Sequence, residues 1–488
     1  MIEIAKKQIV ASNIWAEQQE DDVLKMSSIS MLDKDNKSFI YKTINEDLSE
    51  TTVQVVSLQK DAGAQLSNDV VLHLEFYKKY PAIRSLAHVY TPKLMNFSLV
   101  GEAIPVYSKQ HAIYHPSEIK CAIYQENNHQ SLIEIIAHEL KDEIITSKGI
   151  VLLYQNGAFV WDETPIKTLE AALHYERIAD DAWCLQSRTG EHIKSISAEL
   201  IDSYIKEQRS EEEKAIQPGE PGTMVTKEQL KAINLGMLEY FDRVCRENGI
   251  KYSLTGGTLL GAIRHGGMIP WDDDVDVFLT RPEYEKLTSI FPDNDQFELL
   301  TMKKDPTFNY VFGRVIDKRT IVKYSPNTAA AGRGLSLDVC VIDGLPKSAR
   351  KRKIHQKYMR LLVRLRRATI QDPQGKRYTE KGIFVVFLKR VLCKLTSISF
   401  WNKRIAKAMD KYKFDQSDYV GNFTSQYGSK ELLHRKAFDI YYDVPFENLT
   451  CMIYSGYDEY LSNIYQNYLD FPPKKKQVGH HICNAFWI

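Results

Sequence analysis

Apolar residues recur along the chain in two different periods. In the first two fifths, short runs rich in β-branched and aromatic residues alternate with stretches in which apolar residues recur every three or four positions. This alternation predicts an α/β fold. The predicted strands are residues 52–58, 150–153 and 158–161, and the predicted helices are residues 70–80, 130–143 and 165–184.

A strong helix-start signal opens the second half of the chain. Thr226 can cap a helix, Gln229 stands at the capping-box position, and apolar residues follow at helical spacing until Asn248. Further strands are predicted at residues 252–254, 275–279 and 335–342. The composition of residues 343–346 is typical of a turn.

A domain boundary is predicted between these halves. Residues 210–223 combine a charge run with two Pro-Gly steps, a composition typical of linkers. We therefore expect a first domain at 1–209, a linker at 210–225 and a second domain at 226–488. A chain of 488 residues is long enough for two or three domains.

Charge is distributed unevenly along the chain. Residues 1–215 carry a net charge of −11 and residues 216–488 carry +12, which gives the second half a preference for anionic ligands. The seven cysteines form no C-x-x-C pair, which disfavours a zinc knuckle or a disulfide framework. The first residues lack the apolar run of a signal peptide. A cytoplasmic protein is expected.

A glycine pair followed by closely spaced carboxylates is the most informative feature of the sequence. Residues 256–258 (Gly-Gly-Thr) follow a predicted strand, where glycine lets backbone N–H groups approach a phosphate. Asp274 and Asp276 are two residues apart at the start of the next predicted strand, so their side chains are expected to share one face, where they can hold Mg²⁺. Asp272 and Asp273 precede them and can ligate, cap or orient.

Asp338 is the third candidate ligand. It stands among apolar neighbours in a predicted strand, where a bare carboxylate would be costly and a metal would offset that cost. Three carboxylates can hold two cations about 3.5–4 Å apart, which stabilise both oxygens of a displacement at phosphorus. An isolated Asp-x-Asp or Gly-Gly pair is usually an ordinary turn. Their succession, with Asp338, predicts phosphoryl or nucleotidyl transfer.

Several stretches of the second half share a family pattern. They are residues 256–265 (GGTLLGAIRH), 269–276 (IPWDDDVD), 312–317 (FGRVID) with Thr320, 337–339 (LDV) with 343–346 (DGLP), and 468–473 (YLDFPP) with His480 and His481. With them, residues 226–482 resemble the LicD family of the nucleotidyltransferase-fold superfamily. The resemblance implies a C-terminal α+β domain with a mixed sheet and added helices.

The LicD resemblance also implies a chemistry. Asp274, Asp276 and Asp338 correspond to the metal ligands, for Mg²⁺ or alternatively Mn²⁺. The donor is expected to be a CDP-linked alcohol such as CDP-choline, CDP-ribitol or CDP-glycerol. A hydroxyl of a cell-surface glycan or its lipid-linked precursor is expected to attack the distal phosphorus, and CMP leaves.

Other residues have candidate roles in the same reaction. Arg264 and Arg314 can clamp a diphosphate, because guanidinium matches phosphate geometry, although a surface ion pair is the alternative. Asp272 or one of His480 and His481 can act as the general base. The tyrosine-rich residues 454–468 are interpreted as core rather than as a cage for a quaternary ammonium group.

A basic amphipathic segment follows the last predicted strand. Residues 347–367, from Lys347 to Arg367, contain ten basic residues and no acidic one, interleaved with apolar residues. With residues 383–395 they are expected to lie on an anionic membrane, at its inner face, or to recognise a polyanionic acceptor; a solvated helix is the alternative. No nucleic-acid-binding motif accompanies the charge.

Two other functions stay open at this point. One is nucleotidyl transfer from an NTP with release of pyrophosphate, which uses the same glycines and carboxylates. The other is a non-catalytic binding or regulatory protein.

The first domain carries a second family pattern. The stretches that show it are residues 69–77, 85–92 and 149–161, followed by a helix with Glu176. With them, residues 10–200 resemble the class II aldolase/adducin family, which implies an N-terminal α/β domain.

The zinc site of active aldolases is incomplete here. Of the His-x-His pair and the later histidine that hold zinc in that family, His88 remains, whereas Tyr90 and Asn156 occupy the other two positions. Asp69 stands at the position of a catalytic glutamate, and Ser27-Ser28 at that of a phosphate turn. We therefore expect a degenerate scaffold or interaction domain, without zinc, that can form homo-oligomers.

Overall fold

The chain forms two compact units. The computed structural model describes residues 2–19, 23–24, 27–33, 35–44, 52–59, 66–123, 132–140, 148–323, 333–370, 395–422, 425, 427–479 and 484–488. The first unit comprises Met1–Lys214 with Ile263–Gly266 and Leu469–Pro472. The second unit comprises Ala215–Ala262, Gly267–Tyr468 and Pro473–Ile488.

A seven-stranded sheet is the centre of the first unit. Its strands are β1 (Ser28–Leu32), β2 (Ser38–Thr43), β3 (Gln54–Ser57), β4 (Ser85–Val89), β5 (Cys121–Ala122), β6 (Gly149–Leu153) and β7 (Ala158–Asp162). In space the order is β3-β2-β1-β4-β7-β6-β5. The β5–β6 pair is parallel and the other pairs are antiparallel.

Helices cover both faces of this sheet. The helices of the unit are α1 (Ile2–Glu17), α2 (Asn68–Lys79), α3 (Pro92–Val100), α4 (Lys109–Tyr114), α5 (Leu132–Leu140), α6 (Pro165–Thr189) and α7 (Ala198–Ile216). Successive side chains of a strand point to opposite faces. Ile150 and Leu152 therefore pack with α1, α3 and α6, whereas Val151 and Leu153 pack with α2 and α5. The predicted α/β architecture of this half is confirmed.

The predicted linker begins inside a helix. Because α7 continues to Ile216, residues 210–216 are helical. The glutamates and lysine that suggested a linker are also good helix formers, and no residue of α7 is buried. The two Pro-Gly steps follow at residues 218–222, just after the unit boundary at Lys214.

The second unit opens with α8 (Lys227–Glu247), and its predicted start is confirmed. Thr226 Oγ1 accepts a hydrogen bond from the backbone N–H of Gln229 at 3.2 Å. The Gln229 side chain accepts one in return from the N–H of Thr226 at 3.0 Å. This reciprocal capping box satisfies two backbone donors that a helix N-terminus otherwise leaves unpaired.

The main sheet of the second unit is mixed, as predicted. Its strands are β8 (Ser253–Leu254), β9 (Val275–Thr280), β10 (Phe297–Leu300), β11 (Gly313–Asp317), β13 (Ser336–Leu345), β14 (Tyr419–Gly421) and β15 (Leu433–His434), and β12 (Thr320–Lys323) lies outside it. The order is β10-β11-β13-β14-β15, and β9 pairs in parallel with β13 and antiparallel with β8.

Further elements complete the second unit. The hairpin is β16 (Tyr441–Phe446) with β17 (Leu449–Tyr454), and β12 pairs with β18 (Asn484–Trp487). The helices are α9 (Gly256–Arg264), α10 (Arg281–Ile290), α11 (Ala349–Ile370), α12 (Ile398–Met409) and α13 (Tyr457–Tyr465). Across the described part of the chain, no helix combines the length and apolar character needed to span a bilayer.

The turn predicted at residues 343–346 is wrong. β13 continues through Leu345, and residues 343–345 pair with β14. Arg281 neutralises the Asp343 carboxylate through two hydrogen bonds of 2.7 and 3.0 Å. A Cβ at Gly344 would lie 2.5 Å from the carbonyl oxygen of Tyr412, so glycine permits a close approach of two backbones here. Tertiary contacts thus override a turn-like composition.

Candidate active site

Three adjacent strands place charged side chains in one row. Asp276 on β9 is the register partner of Asp338 on β13, and Asp338 is the register partner of Arg314 on β11. Register partners on neighbouring strands face the same side of a sheet. Arg314 Nε donates to Asp338 Oδ1 at 2.6 Å, and the guanidinium lies 3.8 Å from the ring centre of Tyr310.

The N-terminus of α9 lies against this row. Gly256 has a φ of +58°, a conformation that favours glycine. A Cβ there would lie 3.2 Å from Asp276 Oδ2, and a Cβ at Gly257 would collide with Asp272 Oδ2. Thr258 Oγ1 accepts a hydrogen bond from the N–H of Asp276 at 2.9 Å. The glycines thus let carboxylates approach the electropositive helix start closely.

The residues before β9 add further carboxylates. Asp272, Asp273 and Asp274 each offer one oxygen, and the three oxygens lie within 4.8 Å of one another. The backbone N–H of Asp273 donates to Asp272 Oδ1 at 3.2 Å. Asn234 Nδ2 from α8 donates to the Asp273 carbonyl at 3.1 Å, which ties this segment to the first helix of the unit.

Burial and neighbouring carboxylates both disfavour the charged form of Asp276. Burial raises the pKa of this carboxyl well above its usual range, and the charges of Asp274, Asp338 and Asp272 raise it further, whereas Arg314 opposes them. So many carboxylates around one half-buried group favour a bound cation. Carboxylate oxygens are the ligands preferred by Mg²⁺ and Mn²⁺. The donor set therefore fits the predicted divalent metal.

The hydrogen-bonded side chains of Tyr460 and Glu431, a pair that the sequence did not predict, contact the glycine turn. The Tyr460 hydroxyl accepts from the N–H of Gly256 at 3.3 Å and from Thr255 Oγ1 at 2.8 Å, and it donates to Glu431 Oε1 at 3.5 Å. Glu431 is 3% exposed. Burial raises its pKa to about 8, against the opposing hydrogen bonds of Ser425 and Tyr460.

An aromatic pair borders the carboxylates: Tyr427 was not predicted, and Tyr465 is only half-buried although its stretch, residues 454–468, was interpreted as core. The rings of Tyr427 and Tyr465 are 6.4 Å apart and inclined at 66°. Burial, Tyr427 and the charges of Asp272 and Asp276 together raise the pKa of the Tyr465 hydroxyl. Tyr454, Tyr460 and Tyr468 in the same stretch are buried, as the core interpretation predicted.

Arg264, a predicted phosphate clamp, contacts Asp470 and Phe471 in the structure. Arg264 is 4% exposed; its Nη1 donates to the carbonyl of Asp470 at 2.8 Å, and its guanidinium lies 4.6 Å from the ring centre of Phe471. These contacts explain its burial without a phosphate, and its role as a clamp stays a prediction. His480 and His481 lie outside the described residues.

Comparison with known proteins tests the two resemblances. Residues 249–327 match the family profile described as LicD/FKTN/FKRP, nucleotidyltransferase domain. A curated relative, lipopolysaccharide cholinephosphotransferase LicD of Haemophilus influenzae, is 30% identical over 272 residues, which cover 54% of this chain and 98% of the relative. The chain belongs to the LicD family. Asp274 and Asp276 lie within the residues that match the LicD profile, and Asp338 follows them.

The first predicted domain of this LicD family member also matches a family profile. Residues 24–183 match the profile described as Class II Aldolase and Adducin N-terminal domain. Among solved structures, an L-fuculose 1-phosphate aldolase is 13% identical with a TM-score of 0.34, covering 43% of this chain and 97% of that one. YgbL of Klebsiella pneumoniae is 17% identical with a TM-score of 0.33, covering 41% and 97%.

In this LicD family member, internal hydrogen bonds engage His88, the residue that the sequence predicts to remain from the aldolase zinc site. His88 Nδ1 lies 2.5 Å from Asp69 Oδ1, and His88 Nε2 lies 2.7 Å from the carbonyl oxygen of Asn156. Tyr41 donates to the second oxygen of Asp69 at 2.7 Å. Burial acts to raise the pKa of Asp69, but the hydrogen bond from His88 and the charges of His73 and His88 hold it well below its usual range.

The hydrogen bonds of His88 leave its ring poorly placed to bind a metal in the first domain. With both ring nitrogens of His88 directed at oxygen atoms, neither is oriented toward a metal. Tyr90 also reaches this ring, its hydroxyl 3.2 Å from Nδ1. That the domain works without zinc stays a prediction.

Proposed function

We propose that this LicD family member transfers phosphocholine, or a similar phospho-alcohol, from a CDP-linked donor to a hydroxyl of a cell-surface glycan or its lipid-linked precursor. The observation that carries the proposal is the relationship to the Haemophilus influenzae protein, whose name states cholinephosphotransferase activity on lipopolysaccharide and which this chain matches over 98% of its length. The arrangement of carboxylates at the glycine turn supports the same chemistry.

The residues of the site have distinct tasks in this reaction. Asp274, Asp276 and Asp338 would hold the divalent cation, which when bound neutralises charge on the diphosphate of the donor. At the start of α9 the N–H of Gly256 donates to Tyr460, whereas a phosphate oxygen can approach the N–H of Gly257 closely because that residue has no side chain.

The bond changes follow from the donor. A glycan hydroxyl oxygen forms a bond to the phosphorus that carries the alcohol, and the bond from that phosphorus to the CMP oxygen breaks, so CMP leaves. Of the candidate general bases, Asp272 lies among the described residues. Its carboxylate lies against the glycine turn at Gly257, where it could accept the proton of the glycan hydroxyl. Arg314, now paired with Asp338, stands beside the same site as a partner for the diphosphate.

The aromatic pair supports choline as the donor alcohol. A quaternary ammonium group binds to the electron-rich faces of aromatic rings. Tyr427 and Tyr465 offer two inclined rings next to carboxylates that add negative charge. Ribitol and glycerol carry no cation and gain nothing from such a pair.

Product analysis tests the proposed function. The protein is incubated with Mg²⁺ and a glycan acceptor extract, and separately with CDP-choline, CDP-ribitol, CDP-glycerol or CTP, and products are identified by mass spectrometry. We expect CMP and a phosphocholine adduct of the glycan from CDP-choline. Pyrophosphate from CTP would establish nucleotidyl transfer instead, and CDP-choline binding without any product would favour a regulatory protein.

The Tyr465→Leu substitution tests the choline subsite. A lost cation–π contact of about 1–2 kcal/mol corresponds to a rise of about tenfold in KM for CDP-choline, with kcat little changed. CDP-glycerol provides the control if the enzyme turns it over. The KM for CDP-glycerol should be the same in the wild type and in the Tyr465→Leu protein. An equal loss with both donors would show that Tyr465 supports the fold of the site rather than choline binding.

A further inference from the structure

The outward face of α11 exposes apolar side chains that a surface helix normally buries. Ile354, Tyr358 and Leu361 are 60%, 42% and 51% exposed. Their spacing of four and three residues places them in one stripe along the helix. We call this stripe, with the basic residues around it, the α11 outer face.

Positive charge surrounds the stripe. α11 contains no acidic residue. Its exposed basic side chains are Arg350, Lys351, Lys353, Lys357, Arg360, Arg364 and Arg367. An apolar stripe flanked by lysine and arginine is the pattern of helices that lie in the interface of an anionic membrane.

The inner face of α11 fixes which residues point outward. His355, Met359 and Leu362 are buried. Arg366, also buried, donates from Nε to Asn402 Oδ1 at 2.6 Å and from Nη2 to the carbonyl of Phe308 at 3.0 Å. These bonds join α11 to α12 and to the loop before β11, so the outer face is held by the fold of the unit.

We propose that the α11 outer face docks the protein on an anionic lipid bilayer. The basic side chains would contact lipid headgroups, and the apolar stripe would enter the boundary between headgroups and acyl chains. A soluble polyanion would engage the charges alone and would leave Ile354, Tyr358 and Leu361 in water. The apolar stripe is therefore the observation that favours a membrane over a polyanionic glycan.

The outer face is connected to the candidate active site within the same unit. A Cβ at Gly428 would collide with Arg360 Nη2 and would lie 2.5 Å from Gln356 Nε2, so both α11 side chains lie against Gly428. The preceding residue, Tyr427, pairs with Tyr465 beside the carboxylates. Docking through α11 would hold that site close to the bilayer surface, where a lipid-linked acceptor is found.

Vesicle co-sedimentation of the full-length protein tests this proposal without relying on turnover. The vesicles are phosphatidylcholine alone or phosphatidylcholine with phosphatidylglycerol, at low and high salt. Three triple variants are compared with the wild type. They are a charge variant (Lys353→Gln, Lys357→Gln, Arg364→Gln), an apolar variant (Ile354→Ser, Tyr358→Ser, Leu361→Ser) and a control variant with the same charge change elsewhere in the unit (Lys227→Gln, Arg243→Gln, Lys251→Gln).

The expected results separate docking from its alternatives. Wild type and control should bind the anionic vesicles and release them at high salt, the charge variant should bind about 100-fold more weakly, and the apolar variant at least about 10-fold more weakly. Thermal unfolding of each variant checks folding, and all substituted side chains are exposed. If the apolar variant binds the vesicles as tightly as the wild type and free polyphosphate competes for this binding, the proposal is overturned in favour of a polyanionic ligand. Wild-type binding by both outer-face variants would assign binding to another surface.

Discussion

The Asp276→Asn protein is expected to fold and to lose turnover by about 10³-fold or more. Asp276 lies between the glycine turn and Asp338, where its carboxylate would hold the cation. Removing several kcal/mol of charge stabilisation from the transition state has an effect of this order. Turnover is measured as CMP released from the donor that proves active.

The same substitution should stabilise the metal-free protein. A carboxyl whose pKa is raised on folding contributes stability at low pH that is lost as pH rises through its folded pKa, so at neutral pH the cluster around Asp276 opposes folding. Asparagine removes that charge, so the Tm in EDTA should rise. Mg²⁺ should raise the Tm of the wild type more than that of the variant.

An exposed aspartate of the same unit provides the matched control for this experiment. Asp295→Asn also removes one negative charge, and Asp295 lies on the surface, so its turnover and its response to Mg²⁺ should equal those of the wild type. Asp276→Asn turnover within tenfold of the wild type would contradict the metal assignment. So would a Mg²⁺-induced Tm shift that is the same in both proteins.

The Glu431→Gln protein is expected to be more stable than the wild type at pH 8 by about 4 kcal/mol. Burial raises the pKa of Glu431 from 4.5 to about 8. The protonated Glu431 side chain stabilises the folded protein fully below pH 4.5. This contribution to the free energy of unfolding decreases by about 1.4 kcal/mol for each pH unit above 4.5 and is lost once the pH passes through about 8. Glutamine can still accept the hydrogen bond from Tyr460 and does not ionise.

Urea unfolding of both proteins at pH 5 and pH 8 measures this effect. The two free energies of unfolding should nearly coincide at pH 5 and diverge at pH 8. Glu459→Gln is the matched control, since Glu459 is an exposed glutamate of α13 and its substitution should leave the pH dependence unchanged. Parallel pH profiles for the wild type and Glu431→Gln would show that Glu431 is not protonated in the folded protein.

Local patterns in the sequence predict the local parts of this fold well. The capping box of Thr226 and Gln229 forms as expected because both partners lie within one helical turn. The strand that carries Asp276 and the basic helix after residue 347 also appear, since periodicity alone specifies them. The sequence groups the carboxylates of the candidate site because Asp274 and Asp276 are close in sequence and Asp338 stands in an apolar strand, and their role as metal ligands stays a prediction.

Features that depend on distant residues were not predictable in the same way. Residues 343–345 form a strand because Arg281 and β14 contact them, and nothing in the Asp-Gly-Leu-Pro composition signals those partners. Glu431 and Tyr427 could not be predicted as site residues for the same reason, because they belong to a segment far from the glycine turn in sequence. The helical residues 210–216 show a further limit, because charged residues occur in linkers and in solvated helices alike.

In the proposed reaction, the ion pair between Arg314 and Asp338 would couple binding of the cation to binding of the donor. A cation that takes Asp338 as a ligand must compete with the guanidinium now bonded to it. The guanidinium released in this way becomes available to an anionic donor at the same site, and a donor that draws Arg314 away exposes Asp338 to the cation. Each ligand would thereby strengthen binding of the other, and by thermodynamic linkage the two enhancements would be equal.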